Sequence, residues 1–304
     1  MQAERLLGDR YRLDHIAGHG AMATVFSAHD TVLKRTVAIK LFGRRHDETG
    51  LLHERFHREA LVEARVVHPN VVTVHDIGEH EDGRPYIVMD FVAGRSLAEI
   101  LADGPVAAER TAVIGIGIAR ALAAAHAEGI IHRDVKPANI LIDHQGIPHL
   151  TDFGLARARG IGRREPTLPG TVVGSVDYVA PEQACRGAAT PACDLYALGA
   201  VLHHMLAGGP PFGTHGAAGA IHDVERRAEE DPPPLHDVDE QLAALVRALL
   251  APHPADRPAT AAEVAERLLD VAARLRVERN TGDVPPPNAT PLPASHWPLE
   301  EHPL

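Results

Sequence analysis

The chain of 304 residues has only two cysteines, Cys185 and Cys193. They cannot supply a disulfide framework, and no charged-then-apolar leader opens the sequence, so a reducing cytoplasm is the expected compartment. An excess of positive charge is also lacking: 30 Lys and Arg stand against 41 Asp and Glu, a formal net charge of −11. That balance argues against non-specific nucleic-acid or anionic-membrane binding as the main role, since both need a basic face. No run of eighteen uncharged apolar residues occurs. The longest apolar stretches, near 112–127 and 195–207, contain Arg120 or the pair His203-His204 and read as buried helices. The 21 histidines fall into no metal-ligand spacing. What remains is ordinary for a globular protein, with 45% apolar and 23% charged residues, and suits two modest domains or one large bilobal unit.

Chemistry concentrates in residues 132–140, His-Arg-Asp-Val-Lys-Pro-Ala-Asn-Ile, followed by Asp152-Phe153-Gly154. An Asp, a Lys two residues on, an Asn five residues on and a second Asp after a short apolar strand form a phosphoryl-transfer arrangement. Asp134 can accept the proton of an attacking hydroxyl, and Lys136 can neutralise charge on the transferring group. Asn139 and Asp152 offer oxygen ligands to Mg²⁺. Upstream, Tyr-x-Leu-x-x-Ile-Ala from Tyr11 alternates as a strand and runs into Gly18-His19-Gly20, where missing side chains let backbone N–H groups approach phosphate. Val37-Ala38-Ile39-Lys40 forms a further apolar strand. Residues 54–67 have helical spacing, carry Glu59 and Glu63, and end at His68-Pro69-Asn70. An Ala-rich helix follows Gly104-Pro105 and runs to about 126, although Gly115 and Gly117 lower its propensity. Residues 155–173 are Gly- and Arg-rich without period, with Thr167 and Thr171 as the only hydroxyls before Ser175. Helices are expected near 238–250 and 260–276. From 278 the Pro-rich composition, which includes Trp297, predicts a disordered or extended tail.

Taken in order across residues 10–275, these strings resemble the eukaryotic-like protein kinases, in the bacterial Ser/Thr form. The resemblance implies an α+β fold class with the bilobal protein-kinase fold. A small antiparallel-sheet N-lobe with one main helix would span 1–91, a larger, mostly helical C-lobe 92–277, and a tail 278–304. It implies ATP and Mg²⁺ as cofactors, with Mn²⁺ as an alternative metal. Gly18 and Gly20 would cover the phosphates, and Lys40 would reach the α- and β-phosphates with Glu59 as its partner. Tyr86 to Val92 resembles the hinge, with Met89 as gatekeeper and backbone groups of Asp90 and Val92 on the adenine edge. Val25, Ala38 and Leu141 would sandwich the ring.

The same resemblance makes Asp134 and Lys136 catalytic, Asn139 and Asp152 metal ligands, and His132 a structural residue packed on Phe153. Arg133 would grip a phosphate on Thr167 or Thr171, and Ser175 would bridge to the catalytic Asp and Lys. Glu182 of Ala-Pro-Glu would pair with Arg257, and Asp194 would hold the catalytic loop through backbone N–H groups. Implied partners are protein substrates with Ser or Thr, including a second copy in trans, with no nucleic acid and no membrane segment. Two positions depart from the family. Ala23 stands where a third Gly is usual, and Glu63 stands where an apolar residue faces the Phe of the metal motif. Either local helix rotation gives Glu63 solvent or a basic partner, or the helix rests in an inactive position that Glu63→Leu would relieve. A pseudokinase or nucleotide-binding scaffold is the rival reading, yet Lys40, Asp134 and Asp152 all stand. A small-molecule phosphotransferase would lack the docking segment at 180–182.

Overall fold

The computed structural model describes residues 6–20, 23–43, 60–61, 63–153, 176–184, 189–213 and 227–281. Glu59, Gly154, Thr167, Thr171, Ser175, Cys185 and Trp297 lie outside the described residues. Strand β4 (Arg35–Phe42), preceded in the chain by β1 (Leu6–Leu7), β2 (Tyr11–His19) and β3 (Ala23–Asp30), shows how the N-terminal part is built. Successive side chains of a strand face opposite ways. Val37, Ile39 and Leu41 accordingly enter one apolar cluster with Leu7, Tyr11, Ala28, Tyr86 and Val88. Ala38 joins Val72 and Met89 in another, and Lys40 shares that second face.

With β5 (Val74–Glu79) and β6 (Pro85–Asp90) these strands form a six-stranded antiparallel sheet in the order β1-β2-β3-β4-β6-β5. Its register sets Lys40 between Val25 and Ile87, and Ala38 beside Met89. One corner is tied by Arg10, whose Nε and Nη2 donate to the Asp30 carboxylate at 2.9 and 2.7 Å. Asp30 also accepts the N–H groups of Val32 and Leu33, each at 3.0 Å, and so shapes the β3–β4 turn. The Arg10 guanidinium holds the Asp30 carboxyl well below the usual carboxylate range.

The chain then leaves the sheet through β7 (Gly94–Ser96) into helix α1 (Leu97–Leu101), where Ser96 and Glu99 form a capping box. Helix α2 (Ala108–Ala127) is followed by β8 (Ile140–Asp143) and β9 (Pro148–Leu150), which form a small sheet in the order β7-β8-β9. Helices α3 (Pro181–Ala184), α4 (Pro191–Ala207), α5 (Glu240–Leu249) and α6 (Ala261–Thr281) complete the C-terminal part. One continuous apolar cluster unites it, drawing Ile118 and Leu122 from α2, Leu198 and Val201 from α4, Leu245 from α5 and Leu268 from α6.

The two glycines of α2 are explained by close approach. A Cβ at Gly115 would lie 2.9 Å from methyls of both Leu202 and Leu268, and one at Gly117 would strike the Pro148 ring. The last helix corrects the expected boundary at 277, since α6 continues to Thr281. Its closing turns are held by Arg274 on Asp239 at 2.7 Å and Arg279 on Glu109 at 2.8 Å, and the first proline beyond it is Pro285. No described helix is long and apolar enough to cross a membrane.

Candidate active site

The loop from His132 to Asn139 is shaped from beneath by a buried carboxylate. Asp194, in the first turn of α4 and only 1% exposed, accepts the N–H groups of His132 at 2.9 Å and Arg133 at 2.8 Å. His126 Nε2 lies 2.8 Å from the same carboxylate. This grip offsets the left-handed backbone of Arg133, φ 67°, which is costly for a side chain with a Cβ. His132 is fully buried with its ring centroid 4.5 Å from that of Phe153. Its partners assign its tautomer. Nε2 faces the Thr151 carbonyl at 2.9 Å and must donate, while Nδ1 faces the Asp134 N–H at 3.2 Å and must accept. Burial pushes this imidazole below its ordinary pKa, so it stays neutral and structural.

The loop closes on Asp134. Lys136 Nζ donates to both of its carboxylate oxygens, at 2.8 and 3.1 Å. Asn139 Nδ2 donates to the Asp134 backbone carbonyl at 2.8 Å and to its carboxylate at 3.1 Å. With both amide hydrogens so used, Asn139 keeps its side-chain oxygen as an acceptor. A short 3₁₀ turn, Pro137–Asn139, sets this geometry, and the Thr151 N–H donates to the Asn139 carbonyl at 3.0 Å, tying the loop to the segment that carries Asp152. Asp152 has φ 67°, and its carboxylate meets Lys40 Nζ at 2.5 Å.

Glu63 is the largest surprise. It does not turn to solvent but is 4% exposed, with Oε1 accepting the Phe153 N–H at 3.2 Å. Burial first, and then the negative charge of Asp152, push its carboxyl up to about 8, against the pull of Lys40 and of the Phe153 and Asp152 N–H groups. The expected partner of Lys40, Glu59, lies outside the described residues.

Beside these groups lies an apolar cluster. Ala38, Val72 and Met89 are buried in it, with Val25, Phe91, Val92 and Leu141 packed against them. Val25, Ala38, Met89, Val92 and Leu141 were anticipated from motif positions. Val72 and Phe91 were not, because Val72 belongs to no motif and is placed by its N–H bond to the Leu150 carbonyl at 2.9 Å. Gly18 pairs with Val25 and His19 with Thr24 at the end of the β2 pairing, and the Gly20 N–H donates to the Ala23 carbonyl at 2.8 Å. Ala23 itself is buried in the sheet.

Further down, Arg257 sits in a cage. Its guanidinium, 0% exposed, donates to Glu182 at 2.7 and 2.9 Å and to the carbonyls of Ala251, Ala192 and Pro252 at 2.8 to 2.9 Å. All five of its N–H donors are therefore used. Burial alone would raise the Glu182 carboxyl, but the Arg257 hydrogen bonds bring it below the ordinary value. Cys193 Sγ donates to Glu182 at 3.2 Å, and Cys193 is a buried free thiol. Gln183 Nε2 reaches the Arg133 carbonyl at 3.0 Å and joins this anchor to the catalytic loop, a link that no sequence signal announced.

The family model described as "Protein kinase domain" matches residues 11–269, and the chain belongs to that family. Its relatives identify the bacterial Ser/Thr branch. A probable serine/threonine-protein kinase PknB of Corynebacterium glutamicum is 40% identical over 293 residues, covering 90% of this chain and 45% of that protein. The serine/threonine-protein kinase PrkC of Bacillus subtilis is 44% identical over 207 residues, covering 68% of this chain and 32% of that protein. Among solved structures, the PknI kinase domain of Mycobacterium tuberculosis superposes with a TM-score of 0.68 at 26% identity, covering 90% of this chain and 99% of that domain. The chain spans about half or less of the length of the curated relatives it matches.

Proposed function

We propose that this chain is a Ser/Thr protein kinase that transfers the γ-phosphoryl group of ATP to Ser and Thr hydroxyls of proteins, including its own activation segment in trans. The observation that carries the reading is the continuous bonding from Asp134 through Asn139 and Thr151 to Asp152 and Lys40, with the apolar cluster of Ala38, Val72 and Met89 as the proposed adenine site. The donor set suits a nucleotide with its divalent cation. Lys40 offers an ammonium, Asp152 and Asn139 offer hard oxygens, and the apolar cluster offers side chains suited to a flat ring. When bound, the nucleotide supplies the phosphoryl group, and its cation, Mg²⁺ or Mn²⁺, supplies neutralising charge.

Asp134 takes the proton of the incoming hydroxyl, with Asn139 fixing the direction of its carboxylate. Lys136, already on Asp134, screens charge as it builds on the transferred group. Lys40 would bind the α- and β-phosphates together with the turn at Gly18 and Gly20. Asn139 and Asp152 would hold the metal, and backbone groups of Asp90 and Val92 would bind the adenine edge, with Met89 as gatekeeper. Arg133 Nε is buried and meets no acceptor among the described residues, which suits a guanidinium kept for a phosphate on Thr167 or Thr171. Ser175, by its place in the family pattern, bridges Asp134 and Lys136. The cytoplasm is the proposed compartment.

Transfer of labelled phosphate from ATP, with and without Mg²⁺, followed by site mapping, tests this reading. Metal-dependent label on Thr167 or Thr171 that Asp134→Asn reduces about 10²- to 10⁴-fold is expected. Label that survives Asp134→Asn, or none in the wild type, would overturn it.

A further inference from the structure

We infer that Glu63 is a positioning residue of the phosphoryl-transfer site, an acceptor that fastens the backbone of Asp152 and Phe153 to the N-lobe helix and so sets the aim of the Asp152 carboxylate. The inference rests on the kinase reading of the site and adds a residue that no motif assigns.

The helix face explains why a carboxyl group comes inward. Ala60, Leu61 and Glu63 are helical, and the Ala64 N–H closes the turn on the Ala60 carbonyl at 3.0 Å. Ala60 is fully buried in a cluster with Ile87 of β6, while Leu61, on another face, is 60% exposed. Residues three apart share a face, so docking Ala60 beneath the sheet brings Glu63 in with it.

Glu63 arrives where the chain most needs a fixed point. Asp152 holds a left-handed backbone, φ 67°, which persists only if its surroundings determine it. His132 grips this turn from one side, through the Thr151 carbonyl and the Phe153 ring. Glu63 grips it from the other, accepting the Phe153 N–H at 3.2 Å and facing the Asp152 N–H. Lys40 then takes the Asp152 side chain. An apolar residue at 63 would pack against Phe153 equally well but would leave these buried N–H groups without their acceptor. The acceptor oxygen does the holding, and a glutamine carries the same oxygen.

Full-length wild type, Glu63→Gln and Glu63→Leu would be compared for ADP binding by calorimetry across a Mg²⁺ series and in EDTA, and for kcat and KM. Amide exchange at Phe153 would be measured alongside. Glu63→Leu is expected to raise the Mg²⁺ needed for half-maximal binding about 10-fold, the usual scale for losing a group that orients a metal ligand. Its ADP affinity in EDTA should stay at the wild-type level, kcat should fall more than KM rises, and Glu63→Gln should recover most of the loss. Equal effects of Gln and Leu, or a wild-type Mg²⁺ dependence in Glu63→Leu, would overturn the inference. Should Glu63→Leu fail to fold, rapid exchange of the Phe153 amide in the wild type would overturn it and slow exchange shared with Glu63→Gln would support it. Wild-type protein that binds ADP with Mg²⁺ but transfers no phosphate would refute the kinase reading while the binding series still tests Glu63.

Discussion

Around Arg257 and around Lys40 the protein buries positive charge in opposite ways. Arg257 spends every N–H it has, on Glu182 and three carbonyls, and stacks on Tyr196 with 4.9 Å between guanidinium and ring. Such a cage has no capacity left for a ligand. Lys40, with its side chain 11% exposed, meets one hydrogen-bond acceptor among the described residues, Asp152, and a second carboxyl group stands close by in Glu63. The ammonium has three donors, of which one is used among the described residues. Asn139 repeats the pattern, with its donors used and its oxygen kept. Among the described residues the Arg257 cage is saturated, and the groups proposed to meet the nucleotide are not.

Substitutions should separate the two regions. The largest effect on activity belongs to Asp152→Asn. As a proposed direct metal ligand, its loss should cost more than the roughly 10- to 100-fold that follows removal of an outer partner, read as kcat in a labelled-phosphate assay. It also removes one of two neighbouring carboxyls, so stability should hold. Arg257→Met should do the reverse. It strands Glu182 and three carbonyls, and a loss of about 3–5 kcal/mol is expected in urea unfolding, the range for breaking a buried ion pair on one side. The smallest effect is Asp30→Asn, a loss of stability present at neutral pH that shrinks as pH falls. The folded-state pKa of Asp30 is depressed, so its ionised form contributes stability that is complete above the ordinary value of 3.8 and drains away as pH falls through the folded value. Thermal melts in acid should therefore lose part of their pH slope in Asp30→Asn.

Much of this contrast was legible beforehand, for physical reasons. Asp134, Lys136 and Asn139 lie within six residues, so local geometry alone brings them together, and the Pro-Ala-Asn 3₁₀ turn does so. Glu182 and Arg257 are 75 positions apart, and only the family resemblance could join them. The fold class was legible through the ordered motifs that resemble the kinase family, and the structural neighbours agree with it.

What escaped depends on packing at long range. Val72 and Phe91 join the apolar cluster from outside the strands, Gln183 finds the Arg133 carbonyl across 50 positions, and His126 finds Asp194 across 68. Glu63 was expected to reach solvent or a basic partner if the helix rotated, because burying a lone carboxylate is costly. The structure buries it because Ala60 docks under β6 and because two backbone N–H groups wait at the metal motif. The helix end at Thr281 was hidden by the compositional change at 278, since Arg274 and Arg279 reach partners that composition does not reveal.

The most direct test records transfer rate and melting temperature on the same preparations of wild type, Asp152→Asn and Arg257→Met. The account predicts a crossed result: Asp152→Asn melts with the wild type and transfers no measurable phosphate, while Arg257→Met melts far lower and, at temperatures where it stays folded, still transfers. An Asp152→Asn protein that transfers phosphate at the wild-type rate, or an Arg257→Met protein as stable as the wild type, would contradict it.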